Sequence, residues 1–409
     1  MNVDLLIEEA EKKLLPTFAQ IDRQVKQHLQ KILIAFRDNR VGVHHFSSVS
    51  GYGHDDLGRE VLDKIFAQIF HAESAAVRVQ FVSGTHAIAS CLYGILRPND
   101  EMLAIAGHPY DTLEEVIGLR GEGQGSLRDF GISYRELDLT PEGNIDWEVL
   151  NTAIKPKTKL VLIQRSCGYS WRSSLSIAQI EKIVKIVKQQ NPDTVCFVDN
   201  CYGEFIENLE PTAVGVDLMA GSLIKNPGGT IVTAGGYVAG KEDLVEKACC
   251  RLTSPGIGSS GGATFDQNRL LFQGLFLAPQ MVAEAMKSSH LIALVFSELG
   301  YEVNPLPFVP RRDIIQGVKL GNPDKLVAFC RSIQRNSPVG SYLDPVPAPM
   351  AGYESNLVMA GGTFIDGSTS EFSADGPLRE PYIVFCQGGT HWTHISIALS
   401  EAIKAIMEN

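Results

Sequence analysis

From residue 61 onward the chain alternates short apolar runs with longer amphipathic ones, and this alternation restricts the fold more than any other feature. EVLDKIFAQIF has helical spacing, AAVRVQFV reads as a strand, THAIASCLYGIL as a helix, EMLAIAG as a strand and YDTLEEVIGL as a helix. KLVLIQRS, TVCFVDN and residues 218–223 follow as strands, with the amphipathic helix IAQIEKIVKIVKQQNP among them, ended by Asn-Pro. The rhythm predicts an α/β fold, a mostly parallel sheet covered by helices on both faces.

The flanks differ. Residues 3–36 carry apolar positions at helical spacing and predict a helical arm that Pro16 kinks or divides. HHFSSVSGYGHDDLGRE then has the composition of a loop. After Arg269 a long helical stretch leads into strands and prolines, in YEVNPLPFVPRRDIIQGVKL, DKLVAFCRSI and SYLDPVPAPMAGYESNLVMAGGTFI, before a closing helix HISIALSEAIKAIMEN. The expected organisation is an arm over 1–50, a large domain over 51–269 and a smaller α+β domain over 270–409.

A chain of 409 residues, 44% hydrophobic and 20% charged, is long enough for two cores. Its net charge of −11 argues against nucleic acid and acidic membrane surfaces, both of which require clustered positive charge, and favours a small-molecule partner. No apolar stretch suits a membrane span, and MNVDLLIEEAEKKLLPTF lacks the basic start of a signal peptide, so a cytoplasmic location is expected. The eight cysteines are scattered without C-x-x-C spacing and read as reduced thiols. His391 and His394 in HWTH have no evident carboxylate or cysteine partner, and no metal site is expected.

Between Gly221 and Gly240 the chain reads GSLIKNPGGTIVTAGGYVAG, in which Lys225 is the only charged residue. A lysine at a strand end either snorkels into solvent or stays at the desolvated edge, where burial favours the neutral, nucleophilic amine. Four features bear on the choice. SGTHA, from Ser83 to Ala87, offers backbone N–H groups and hydroxyls at a helix start, suited to phosphate, although Ser and Thr there also cap helices without a ligand. Tyr110 stands at a strand-to-helix junction, where an aromatic ring covers a planar ligand or simply packs. Asp199 ends an apolar run at the strand edge where α/β folds bind ligands, a position from which it also caps a turn. Ser222 adds a hydroxyl three residues before the lysine. An amine for a Schiff base, a carboxylate for the pyridine nitrogen, an anion seat and a flat cover are together what pyridoxal 5′-phosphate needs.

VDNCYGEF followed by GSLIKNPGG resembles the aspartate and lysine motifs of the Cys/Met-metabolism branch of fold-type I pyridoxal-phosphate enzymes, which includes the cystathionine lyases and methionine γ-lyase. With GYGHDDLGRE, FVSGTHAI, GHPYDTLEEVIG and SADGPLREPY, nearly the whole chain resembles the bacterial aluminium-resistance or methionine-γ-lyase-like family. The resemblance implies that Lys225 forms the Schiff base, Asp199 pairs with the pyridine nitrogen and Tyr110 stacks on the ring. It implies that Ser83, Gly84, Thr85 and Ser222 hold the phosphate, and that Tyr52 reaches the phosphate of a neighbouring subunit, in a homodimer or homotetramer with sites at the interface. Arg379, in DGPLREPY, is the expected grip on the substrate α-carboxylate, with Arg59 and Arg311 or Arg312 as rivals. Two departures stand out, Ile224 where the better-known lyases carry threonine and Cys201 in DNC where they read DNT.

The implied activity is carbon–sulfur cleavage of a sulfur-containing amino acid. Lys225 would move the Cα proton, and a thiol would leave from Cβ or Cγ with Tyr110 as proton donor, giving ammonia and a keto acid. An aminotransferase and a non-catalytic pyridoxal-phosphate-binding protein are the alternatives. The glycines of SPGIGSSGGATF read as a mobile loop or a linker.

Overall fold

The computed structural model describes residues 2–121, 123–350 and 353–408. Seven strands form the larger sheet: β1 (Ser74–Arg78), β2 (Glu101–Ala104), β3 (Ser133–Glu136), β4 (Thr158–Gln164), β5 (Val195–Asp199), β6 (Leu218–Ser222) and β7 (Gly236–Gly240). Their order is β1-β7-β6-β5-β4-β2-β3, and only β7 runs against its neighbours. Alternate residues go to opposite faces, as the period of a strand requires. Val161, Ile163, Cys196 and Val198 join one core, while Leu160, Leu162, Val195 and Phe197 join the other.

The first core is covered by α2 (Leu57–Phe70), α6 (Ile177–Gln190) and parts of two long helices, and the second by α3 (Gly84–Ile95), α4 (Asp111–Ile117) and α7 (Glu242–Leu252). Helices on both faces of a mostly parallel sheet match the expected α/β class. The short α5 (Trp147–Ala153), β3, β7 and α7 are elements that the pattern does not announce. Helix starts follow the side-chain capping rule: Asp56 accepts from Arg59 N–H at 3.0 Å, and Ser176 with Gln179 makes a capping box.

The long helices are α1 (Val3–Asp38) and α8 (Asn268–Glu298). Pro16 does not divide α1. Ile7, Ala10, Leu14, Phe18 and Ile21 on either side of it are buried along one stripe, and that packing holds the turn where the proline removes a donor. Both helices begin or end in different cores. Leu271, Phe272 and Leu275 of α8 pack under the large sheet, while Leu291 to Phe296 pack with Val3 to Phe18 against the second sheet.

That second sheet is antiparallel, in the order β10 (Leu357–Ala360), β11 (Ser373–Pro377), β12 (Ile383–Gln387), β9 (Ile315–Lys319), β8 (Glu302–Asn304), and packs on α9 (Pro323–Arg335) and α10 (Trp392–Met407). It supplies the expected smaller α+β unit. DKLVAFCRSI, placed in a strand-rich stretch by its sequence, forms α9 instead. Asn322 caps it, accepting from the N–H groups of Asp324 and Lys325, and Pro323 takes the first helical position.

The glycine segment before α8 is neither free loop nor linker. Arg59 donates to the carbonyls of Gly262 and Ser260, Arg78 donates to Ser259, and Gly262 N–H donates to Tyr52 O. His391 caps α10, and the ring of His394 bonds the Asn336 carbonyl. All eight cysteines are free thiols, seven of them buried.

Candidate functional site

The strands β4, β5 and β6 end side by side, at Gln164, Asp199 and Ser222, and the N-terminus of α3 meets them there. A cavity of about 570 Å³ opens at this edge. Ser83, Gly84, Thr85, Tyr110, Asp199, Ser222, Lys225 and Arg379 all line it, so the structure brings together eight of the nine residues singled out from the sequence. Tyr52 is the exception. It sits on the loop before α2, 82% exposed, with its ring near His54.

The glycines around Lys225 answer to backbone packing. A Cβ on Gly228 would lie 1.8 Å from Leu223 O, and one on Gly229, at φ +54°, would lie 2.3 Å from Gly274 O on α8. The turn after the lysine is therefore wedged between its own strand end and a helix backbone, where only glycine fits. Asn226 reinforces it by donating to Glu204 O at 3.0 Å.

Lys225 projects into the cavity with its Nζ 3.9 Å from the centre of the Tyr202 ring. Burial pulls its proton affinity down, but Tyr202, Cys201 and Asp199 around it outweigh that, and the net direction is up. Asp199, 5% exposed, accepts from Cys201 N–H at 3.1 Å and forms no ion pair among the described residues. Burial raises its carboxyl, with Lys225 opposing.

The anion seat is the start of α3. Ser83 caps the helix by accepting from His86 N–H at 3.1 Å, leaving the first-turn N–H groups of Gly84 and Thr85 without intrahelical partners. A Cβ on Gly84 would come to 3.1 Å from Ser222 Cβ and 3.3 Å from Cys201 Sγ, so the glycine lets helix and strand end approach. Thr85 Oγ1 lies 3.2 Å from Tyr110 Oη, and Tyr110 N–H donates to Gln164 Oε1 at 3.1 Å, which fixes the tyrosine between α3 and β4. Burial first, then Asp199, pushes the Tyr110 phenol up.

These groups fit pyridoxal phosphate. A dipolar helix start faces the space where a phosphate would go, and the same cavity holds a buried carboxylate with no ion pair among the described residues and an amine. Ser222, Thr85 and the α3 backbone would hold the phosphate, Asp199 the ring nitrogen, Tyr110 the ring face and Lys225 the aldehyde carbon.

Of the four arginines considered, only Arg379 reaches the cavity. It is exposed there, and it opposes the burial and the Glu114 charge that together raise the Asp111 carboxyl. Arg59 is buried on backbone carbonyls, Arg311 donates to Ser289 O at 3.1 Å, and Arg312 donates to Ser174 O and Gln179. Ile224 and Cys201, the two departures from the better-known lyases, both line the cavity.

Sequence reasoning missed Tyr202, Tyr169, Gln164 and Asp375. Tyr202 was within reach, because it stands three residues after Asp199 in the same quoted motif, and its φ of +71° marks a backbone held in an unfavourable conformation to aim the ring. Tyr169 and Asp375 meet across the two sheets, a contact that no local pattern encodes.

Comparison with known proteins finds relatives over nearly the whole chain. A Bacillus subtilis protein, the uncharacterized YnbB, is 45% identical over 401 residues, covering 98% of this chain and 95% of its own. A Listeria monocytogenes structure, described as a candidate cystathionine β-lyase involved in aluminium resistance, superposes with a TM-score of 0.95 at 46% identity, covering 98% of this chain and 99% of that one. The pyridoxal-5′-phosphate-dependent YhfS of Escherichia coli shares the fold at 16% identity, with a TM-score of 0.64 over 94% of this chain and 97% of that one, in line with the fold-type I expectation. The profile of the methionine γ-lyase family matches residues 3–407, and the chain belongs to that family.

Proposed function

We propose that the protein is a pyridoxal-phosphate-dependent carbon–sulfur lyase that cleaves a sulfur-containing amino acid, of the methionine γ-lyase or cystathionine β-lyase type, to a keto acid and ammonia. The observation that carries the reading is one cavity in which Lys225, Asp199 and the start of α3 face each other at the sheet edge. When bound, the cofactor supplies an electron sink for charge developing at Cα.

Arg379 orients the substrate by its α-carboxylate. Lys225 Nζ stands on the Tyr202 ring, a position from which it removes the Cα proton and returns protons later. Asp199 would keep the ring nitrogen protonated, and a carboxylate so engaged would support a proton on Lys225 less, making the amine a better base. Tyr110 Oη, bonded to Thr85, is the acid for the departing sulfur: the carbon–sulfur bond breaks toward sulfur, and the thiolate takes the proton.

The exposure of Tyr52, 82%, supports assembly of two copies with Tyr52 of each reaching the phosphate of the other. Among the described residues no helix is long and apolar enough to cross a membrane.

The test is keto acid release from the cofactor-loaded protein, with methionine, cystathionine, cysteine and homocysteine offered separately. Release of 2-oxobutyrate or pyruvate, lost in Lys225→Ala, is expected. Turnover of Lys225→Ala at the wild-type rate, or no keto acid from any of the four, would overturn the reading.

A further inference from the structure

One wall of the cavity has no part in the steps above. It is made by Tyr169, on the loop after β4, and Gln387, at the end of β12. Both commit their donors to the same carboxylate. The Tyr169 hydroxyl donates to Asp375 Oδ2, and the Gln387 amide donates to Asp375 Oδ1 and Oδ2 at 3.1 and 3.2 Å. Asp375 lies on β11, 1% exposed, and no cation pairs with it among the described residues. With those hydrogens used inward, what remains on this wall is acceptor capacity, the lone pairs of Tyr169 Oη and of Gln387 Oε1. Gln387 is 5% exposed, and its Oε1 is buried without a partner.

The Tyr169 ring is held by Tyr353 and Phe385, at centroid distances of 5.7 and 5.3 Å, so its oxygen has a fixed place. A phenol that donates to a carboxylate is polarised and accepts more strongly in turn. Asp111, Glu114 and Glu354 also line the cavity, against Arg379, His108 and Lys225. A buried acceptor without a donor is costly, and a ligand that brings the donor removes the cost.

We propose that Asp375, acting through Tyr169 and Gln387, is a specificity determinant that selects amino acids whose leaving group carries a protonated amine and disfavours those ending in a methyl or a carboxylate. The inference rests on the lyase reading for the place of the substrate. Lys225 and Arg379 fix the α-amino end, and the Tyr169 wall meets the other. Asp375 is a positioning residue: it touches no reacting atom and supplies the charge behind the Tyr169 oxygen.

The experiment is titration of the cofactor-loaded protein with L-ornithine, L-norleucine and L-glutamate, whose side chains are of similar length and end in ammonium, methyl and carboxylate, followed by the absorption of the lysine-bound cofactor. None carries a sulfur leaving group, so binding is read apart from turnover. Ornithine is expected to bind about tenfold more tightly than norleucine, the scale of one hydrogen bond to a charged group, and glutamate most weakly. In Asp375→Asn and Tyr169→Phe the ornithine-to-norleucine ratio should collapse to within about twofold. General damage to the fold would weaken both ligands together and leave their ratio standing. Equal affinities in the wild type, or a ratio that survives both substitutions, would overturn the proposal. An absorption that responds to none of the three, in a protein that still releases keto acid from a sulfur amino acid, would overturn this inference and leave the lyase reading standing; failure of keto acid release as well would sink both.

Discussion

Arg59 offers a sharp check on the assignment of the arginines, because the sequence leaves it as a rival to Arg379 and the structure gives it different work. Its guanidinium is 2% exposed and donates to Gly53 O at 2.5 Å, Gly262 O at 2.8 Å and Ser260 O at 3.2 Å. These bonds tie the loop before α2 to the glycine segment before α8. Replacing it by methionine keeps the aliphatic stem but leaves three carbonyls short of a donor. At about 1–3 kcal/mol for each buried group left unsatisfied, and with partial relief from water at the loop surface, the loss should be roughly 4 kcal/mol. With an unfolding entropy of about 2.1 cal/mol/K per residue, a chain of this length changes by roughly 0.9 kcal/mol per degree, so Tm should fall by about 4–5 °C. Calorimetry of Arg59→Met, paired with KM for the amino acid substrate, is the assay. A Tm within about 1 °C of wild type together with a KM raised by tenfold or more would refute the structural role and move the carboxylate grip to Arg59.

Other substitutions separate the parts of the site. Gly84→Val introduces a Cβ only 3.1 Å from Ser222 Cβ and 3.3 Å from Cys201 Sγ, so the fold should persist at a cost of about 1–3 kcal/mol while cofactor is lost on dialysis, followed by absorption. Arg379→Ala should raise KM by roughly a hundredfold with much less effect on kcat, because a charge-assisted carboxylate contact worth about 2–3 kcal/mol is removed from bound substrate and transition state alike. Asp199→Asn should make Lys225 of the cofactor-free protein react faster with formaldehyde and borohydride at pH 9, as read by peptide mass spectrometry, since removing the carboxylate lowers the proton affinity of the amine. An unchanged or slower rate would show that Asp199 does not support the ammonium.

The site was legible in the sequence wherever its chemistry is local. Asp199 closes an apolar strand, Ser83 to Thr85 open a helix, and Lys225 stands alone among glycines; each is a short-range pattern with a physical reason, and the parallel sheet brings their ends to one edge. Helix α9 was misplaced because its apolar residues, Leu326, Val327, Phe329 and Ile333, are close enough together to read as a strand, and the Asn-Pro start that decides the matter lies just before them. The Asp375 wall was out of reach for a different reason. Its members come from β11, β12 and the loop after β4, and their meeting depends on how the second sheet docks on the first.

The charge of Lys225 shows why a residue pattern and a structure give opposite answers without conflict. Burial alone favours the neutral amine, whereas the groups that face it favour the proton, and the net direction is up. At neutral pH the Tyr202 phenol and the Cys201 thiol, both pushed up by burial, are uncharged, so Asp199 is the anion of this group that faces the amine. A cation at Asp199 would weaken that pull, and desolvation would then favour the neutral amine. The same carboxylate thus acts on both the amine and the place where a pyridine nitrogen would go, and the Tyr202 ring, 3.9 Å from Lys225 Nζ, fixes where the amine stands.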